Sequence, residues 1–429
     1  MRYSPIDNRL FIENRAKLAQ RLKPDSVAVF NAGDVMPKSA DGVRRFIQHT
    51  DLFYLSGIDQ EETILLICPD ARTGKYKEIL FIRETSEKIA IWEGQKYTRE
   101  EAAAVSGIKT VYWTSRFEQI FRELVCESEH IYLNTNEHLR ADVSVETRDA
   151  RFLKWCQAAF PLHKYERTAP ILHDLRAVKS SIEVNLIRDA CAITEKAFRR
   201  VLAFIRPGVW EYEIEAEIHH EFLKNRSRGP AYESIIASGP DTCVLHYVKN
   251  DKQCKDGELV LMDFGAEYAG YASDLTRTMP VSGRFTPRQR AVYDAVLRVQ
   301  RAATDMLRPG NTLKKYQKAV AKVVENELIG LGLLDAEAVR TQNPDAPLYQ
   351  KYFMHGTSHH MGLDVHDYGS RHRPFEPGMV LTCEPGIYIR AEGIGVRIEN
   401  DILITENAPT DLMASIPAEA EEIEDLMNG

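Results

Sequence analysis

LMDFGAEYAGYASD, residues Leu261–Asp274, ends an apolar run on one acid, Asp263, and reaches a second, Asp274, after a turn rich in Gly and Ala. An ionised carboxylate in a buried strand is costly unless it is paired, protonated or bound to a cation. If the two acids lie on the arms of an antiparallel hairpin centred between Tyr268 and Ala269, they face each other directly, roughly 5 Å apart at Cα. A second stretch, TCEPGIYIRAEGIGVRIEND (Thr382–Asp401), repeats the device: a hairpin centred between Ala391 and Glu392 sets Glu384 opposite Glu399. A single acid in a strand is usually a solvated face or an edge guard. Two matched pairs set in apolar flanks, LVLMD and MVLTCE, point instead to cations held between the carboxylates.

The segments around these hairpins also repeat. SSIEVNLIRDACAITEKAFRRVLAFIRPG opens with Ser180 three residues before Glu183, the capping-box spacing, and carries apolar residues at helical intervals up to Arg206–Gly208. A second helix, WEYEIEAEIHHEFLKN, follows. TPRQRAVYDAVLRVQRAATDMLRPG has Thr286 as N-cap and Pro287 at the first helical position, and it stops at another Arg-Pro-Gly, Arg308–Gly310. LKKYQKAVAKVVENELIGLG then reads as its second helix. Two helices followed by strands, twice over, predict a duplicated unit: a sheet in two halves related by an approximate two-fold, with helices on one face. Upstream, SVAVF, TILLIC and EILFI read as strands and REEAAAVSG as a helix stopped by Gly107. These predict a separate mixed α/β domain, joined through a linker around KYERTAPILHDLRAVKS.

The bulk numbers bound the function. A chain of 429 residues is expected to hold two domains. The net charge of −8 is spread without a Lys/Arg stripe, which argues against nucleic acid. No apolar run is long enough to span a bilayer, and the first residues show no apolar leader core. The 7 cysteines are scattered and never form CxxC, so free thiols in a reducing, cytoplasmic compartment are expected.

HGTSHHMGLDVHD gathers His355, His359, His360 and His366 in one Gly-interrupted segment, and His246 lies in VLHYVKND. A lone histidine is more often structural than a ligand. Four carboxylates with one imidazole nevertheless suit a pair of first-row divalent ions better than calcium, which prefers oxygen shells. Two close ions sharing a water would turn it into hydroxide and polarise a carbonyl, which is the chemistry of hydrolysis.

DFGAEYAGYASDLTRT, HGTSHHMGLDVHD, LTCEPGIYI and GVRIENDI together resemble the pita-bread dinuclear metallopeptidases, and the Xaa-Pro aminopeptidase (aminopeptidase P) branch in particular. HTDLFYLSGIDQEETILLI and IWEGQKY resemble the creatinase-type N-terminal domain of that branch. The resemblance covers essentially the whole chain. It implies an α+β protein with an N-terminal domain over residues 1–172 and a catalytic pita-bread domain over 173–429. It also implies two divalent ions, most simply Mn2+ with Co2+, Fe2+ or Zn2+ as alternatives, held by Asp263, Asp274, His359, Glu384 and Glu399.

In that pattern Asp274 and Glu399 bridge the ions, and Glu384 also takes a proton from the bridging water. His246 and His366 position substrate and move protons, and His355 lines the pocket. Arg397 works through an aspartate, matched here by Asp41. Trp92 is lent to a neighbouring subunit, which implies a homo-oligomer, a dimer or tetramer. Tyr232 and Tyr388 are weaker candidates for the cleft wall. His360 departs from the pattern, standing where a bulky apolar residue is familiar.

The implied activity is release of an N-terminal residue from peptides with proline second, by attack of a metal-bridging hydroxide. An Xaa-Pro bond has a tertiary amide without an N–H, so the site needs a pocket for the ring and a proton donor for the departing nitrogen. The alternatives are a prolidase, which cuts only Xaa-Pro dipeptides, and a non-catalytic peptide-binding member of the fold. All five ligand positions are filled by competent residues, which disfavours the latter.

Overall fold

The computed structural model describes residues 3–429, so the first two residues of the expected N-terminal domain lie outside it. The chain divides into two compact units, Ser4–Arg176 and Ala177–Gly429, with Tyr3 grouped with the second.

The N-terminal unit is built on a six-stranded mixed sheet. Its order is Val111–Trp113, Glu78–Ile82, Ile64–Ile67, Ser26–Asn31, His130–Leu133 and Lys164–Arg167. The three apolar runs read from the sequence are its central strands. Their buried side chains, including Val27, Val29, Leu66, Ile79 and Phe81, pack against Phe121, Leu124 and Cys156. Each large side chain of this kind contributes about 1.5–3 kcal/mol by leaving water. REEAAAVSG forms the helix Arg99–Ser106, capped by Thr98 and Glu101 and ended by Gly107 at φ 72°. The expected linker is different. Lys164–Arg167 is the sixth strand, pairing in parallel with His130–Leu133, and Ala169–Ala177 is a helix. Lys-Tyr-Glu-Arg is polar because the strand lies at a sheet edge, where half-solvated side chains hide the apolar signal.

In the C-terminal unit the helix pairs appear as read: Ser181–Phe204 with Glu211–Lys224, and Pro287–Met306 with Leu313–Gly330. Ser180 with Glu183 and Thr286 with Gln289 close full capping boxes. Such a cap contributes about 1 kcal/mol. Gly208 and Gly310 close the two Arg-Pro-Gly turns at φ 96° and 85°.

Each helix pair leads to a hairpin, and the two hairpins carry the acids. Leu259–Phe264 pairs with Leu275–Pro280, and Val380–Cys383 with Asn400–Leu403. A bridge between Thr276 and Glu399 joins them.

The second hairpin has the expected register. Cys383 faces Asn400, and beyond a short break Gly386 faces Arg397, which leaves Glu384 and Glu399 at matched positions in the gap. The first hairpin does not. Asp263 stands opposite Thr276, not Asp274, and the centre falls between Ala269 and Gly270. These two residues have φ 53° and 85°, the pair of left-handed residues that a two-residue turn matched to strand twist requires. The shift is two residues, so it keeps every side chain on its face. Asp263 and Asp274 are therefore diagonal neighbours on one face, within reach at about 7–8 Å between Cα atoms.

Gly265 lies between the two acids, and a Cβ on it would come 1.7 Å from the backbone oxygen of Ser273. Gly265→Ala should therefore force the arms apart, with a loss of about 1–3 kcal/mol in chemical denaturation and weakened binding of a divalent cation. An unchanged midpoint and unchanged binding would contradict that close approach.

Candidate metal centre

Asp263 and Asp274 project from the first hairpin, and Glu384 and Glu399 from the break in the second. His359 comes from the segment that precedes Val380. That segment is pinned locally: His359 N donates to Thr382 Oγ1 at 3.1 Å, and Thr382 N to His359 O at 3.0 Å. Gln317, on the helix Leu313–Gly330, accepts from both the N–H and the hydroxyl of Thr357.

The five side chains converge. His359 Nε2 lies 3.5 Å from Asp274 Oδ2 and 3.6 Å from Glu384 Oε1. One ligand atom from each of Asp274, His359 and Glu399 falls within 4.8 Å of the others. Tyr232 Oη lies 2.6 Å from Asp263 Oδ1 and 2.5 Å from Asp274 Oδ1. A phenol has one proton to give, so the second of these short contacts calls for a further proton or a cation at the acids. Arg397 supplies part of it, donating to Asp263 Oδ2 at 2.6 Å, to Tyr388 Oη at 2.9 Å and to Thr276 Oγ1 at 3.0 Å. Thr276 Oγ1 in turn donates to Glu399 Oε2 at 2.6 Å.

The electrostatics agree. Burial first, and then the neighbouring Asp263, push the Asp274 carboxyl well above its ordinary range. Burial, with Asp274 and Glu384 beside it, does the same to Glu399. Glu384 is also raised, mainly by burial, against the pull of His359. Burial and the adjacent acids push the Tyr232 phenol far up, so it stays a proton donor. One guanidinium does not balance four carboxylates in such a place.

His355 and Tyr388 form the next shell of contacts. His355 Nε2 is 2.8 Å from Tyr388 Oη, and its Nδ1 is 3.8 Å from Glu384 Oε2. Burial, then the nearby Arg397, lowers the His355 imidazole to about 4, so it is neutral near pH 7. His366 is exposed and stands edge-on to His359, ring centres 4.4 Å apart. His246 is exposed on the segment after the short helix Gly239–Cys243. His360 is buried against Gly369, where burial, then the nearby Lys179, lowers it to about 3.

Asp41 and Trp92 belong to the N-terminal unit. Asp41 sits exposed in the turn between Pro37–Ser39 and Gly42–Val43, and Trp92, 80% exposed, lies on the helix Glu87–Glu93. Sequence reasoning missed Thr276 and Thr382. The signal for Thr276 was available: it follows Asp274 by two, which places it on the same face of the strand.

Comparison with known proteins identifies the family. The model of metallopeptidase family M24 matches residues 185–406, and that of the aminopeptidase P N-terminal domain matches residues 11–132. The chain belongs to metallopeptidase family M24. It is 36% identical to the Xaa-Pro aminopeptidase of Escherichia coli K12, over 99% of this chain and 98% of that protein. It is 31% identical to the human Xaa-Pro aminopeptidase 3, over 89% of this chain and 76% of that one.

Among solved structures, aminopeptidase P of Escherichia coli, a glutamate-to-alanine variant in complex with substrate, superposes with a TM-score of 0.88 at 36% identity, covering 99% of both chains. Pseudomonas aeruginosa aminopeptidase PepP gives 0.90 at 32% identity, covering 99% and 98%. The C-terminal unit thus has the pita-bread fold of family M24, and the protein is a metallo-exopeptidase. Among the described residues no helix is long and apolar enough to cross a membrane.

A divalent cation that fits this site, manganese being the one to try first, should stabilise this M24 protein against unfolding by about 2.7 kcal/mol at a hundredfold excess over Kd. Asp274→Ala should remove that shift. Equal shifts in the two proteins would place the cation elsewhere.

Proposed function

We propose that the protein releases the N-terminal residue from peptides whose second residue is proline, using two divalent ions held by Asp263, Asp274, His359, Glu384 and Glu399. The observation that carries this reading is the convergence of four carboxylates and one imidazole in a buried cleft that a single Arg397 leaves under-neutralised. Oxygen-rich donors with one imidazole suit manganese, with cobalt, iron and zinc as other fits. Divalent ions bound there supply Lewis acidity, which makes water nucleophilic at neutral pH and polarises a peptide carbonyl. The identity of proline as the second residue rests on the likeness to proteins named Xaa-Pro aminopeptidase.

The chain's own groups then divide the work. Glu384, raised by burial and 3.6 Å from His359, is poised to take a proton and give it back. Arg397 donates to Asp263 and fixes the Tyr388 hydroxyl, which in turn holds His355. His355, neutral near pH 7, donates its Nδ1–H to Gly356 O at 2.8 Å and accepts from Tyr388 at Nε2, so it lines the pocket without adding repulsion to the peptide's terminal ammonium. The exposure of His246 and His366 supports a part for both in meeting substrate. Tyr232 orders Asp263 and Asp274 toward a common point.

The seven unpaired cysteines support a reducing, cytoplasmic setting. The exposed Ile91 and Trp92, adjacent on one short helix, support a homo-oligomer, a dimer or tetramer.

Hydrolysis of an Xaa-Pro-Pro tripeptide and of an Xaa-Pro dipeptide, each with manganese and with a chelator, tests the reading. Tripeptide cleavage that the chelator abolishes is expected, and turnover of the dipeptide alone would make the protein a prolidase. Glu384→Ala should lower kcat by about 10³-fold or more with the fold retained. A near-normal rate in that variant would remove Glu384 from the mechanism.

A further inference from the structure

Glu211 is the first residue of the helix Glu211–Lys224 and is fully buried. A buried carboxylate needs donors, and this one has four. Oε1 accepts from Ser238 N at 2.8 Å and Ser238 Oγ at 2.6 Å, and Oε2 from Tyr247 Oη and Lys252 N, each at 2.9 Å. Ser238 ends the strand Ile235–Ser238, whose Ile235 pairs with Asp263. Tyr247 follows His246, and Lys252 closes the same loop, its carbonyl accepting from Glu211 N at 2.9 Å. One carboxylate thus ties the strand beside Asp263 to both sides of the loop that carries His246.

The loop's residues alternate. Cys243, Leu245 and Tyr247 pack inward with Ile235, Ala237, Leu261 and Tyr388. Val244 and Val248, each 48% exposed, and His246 face outward. Tyr388 is the residue that holds His355 and Arg397, so the inward side of the loop rests on the wall of the metal cleft. Which way His246 points follows from Tyr247 staying in; its ring is packed in that cluster, and its hydroxyl is fixed by Glu211, with Asp251 Oδ1 at a longer 3.3 Å. Asn250, at φ 49°, fastens the far end: its side chain accepts from Ile236 N at 3.0 Å and donates to Ser234 O at 2.9 Å and Glu215 Oε2 at 3.0 Å.

We propose that Glu211 and Tyr247 are positioning residues: a buried carboxylate–phenol link that holds His246 toward the substrate side of the metal cleft. The proposal rests on the peptidase reading above for the task of His246, but not for the link itself. Tyr247→Phe removes one hydroxyl and keeps the packed ring, so the fold is retained where Glu211→Ala would leave four donors unmet.

The test is a double-mutant cycle on Xaa-Pro-Pro hydrolysis with manganese. Tyr247→Phe should lower kcat/KM about tenfold in the wild-type background and less than about twofold in the His246→Ala background, because its effect runs through His246. The same fold loss in both backgrounds, or no loss in either, would overturn the proposal. Amide hydrogen exchange of the manganese-free protein reads the link without catalysis. Exchange across residues 243–248 should quicken about tenfold in Tyr247→Phe and stay unchanged across 259–264. Unchanged exchange at 243–248, or loss of protection in both segments, would contradict a local pin. If the wild type cleaves no Xaa-Pro peptide, the peptidase reading fails while the exchange result still decides the link.

Discussion

Mutual repulsion among Asp263, Asp274, Glu384 and Glu399 governs the C-terminal unit. Carboxylates brought together out of water repel strongly, and a fold that gathers them must supply countercharge. Arg397 supplies one charge, at Asp263. Tyr232 and Thr276 add hydrogen bonds to Asp263, Asp274 and Glu399. The remainder shows in the carboxyls of Asp274 and Glu399, held far above their ordinary range. A divalent cation satisfies that condition where a proton would leave the cleft chemically idle. The demand for a cation and the capacity for hydrolysis therefore have one cause.

The duplicated architecture is what makes the gathering possible. Each half contributes a helix pair and a hairpin, and the Thr276–Glu399 bridge brings the acid-bearing faces together. The break in the second hairpin at Glu384-Pro385 and Ile398-Glu399 frees backbone groups for other partners: Glu384 N donates to Thr357 O and Glu399 N to Thr276 O. The ladder is interrupted at the positions where side chains must turn into the cleft. Gly265 serves the first hairpin in a parallel way, since a side chain there would collide with Ser273.

Much of this was legible in the residues, and the failures have physical reasons. Capping boxes at Ser180 and Thr286 are local chemistry and read directly. The pairing of Glu384 with Glu399 was readable because the turn near Gly393 is symmetric about the expected centre. The pairing of Asp263 with Asp274 was not, because it depends on Ala269 adopting positive φ beside Gly270. Alanine carries no sequence signal for that conformation. The edge strand Lys164–Arg167 reads as a linker because a half-solvated strand has linker-like polarity. Tyr232 gave no hint of its contact with two acids, and Glu211 looked like an ordinary first-turn helix acid. Both roles are made by residues distant in sequence, which periodicity does not report.

Anomalous scattering at the manganese absorption edge, from crystals grown with the ion, examines the cage most directly. Two peaks enclosed by Asp263, Asp274, His359, Glu384 and Glu399 are expected. An empty cleft at saturating manganese, or peaks bound by other side chains, would contradict it.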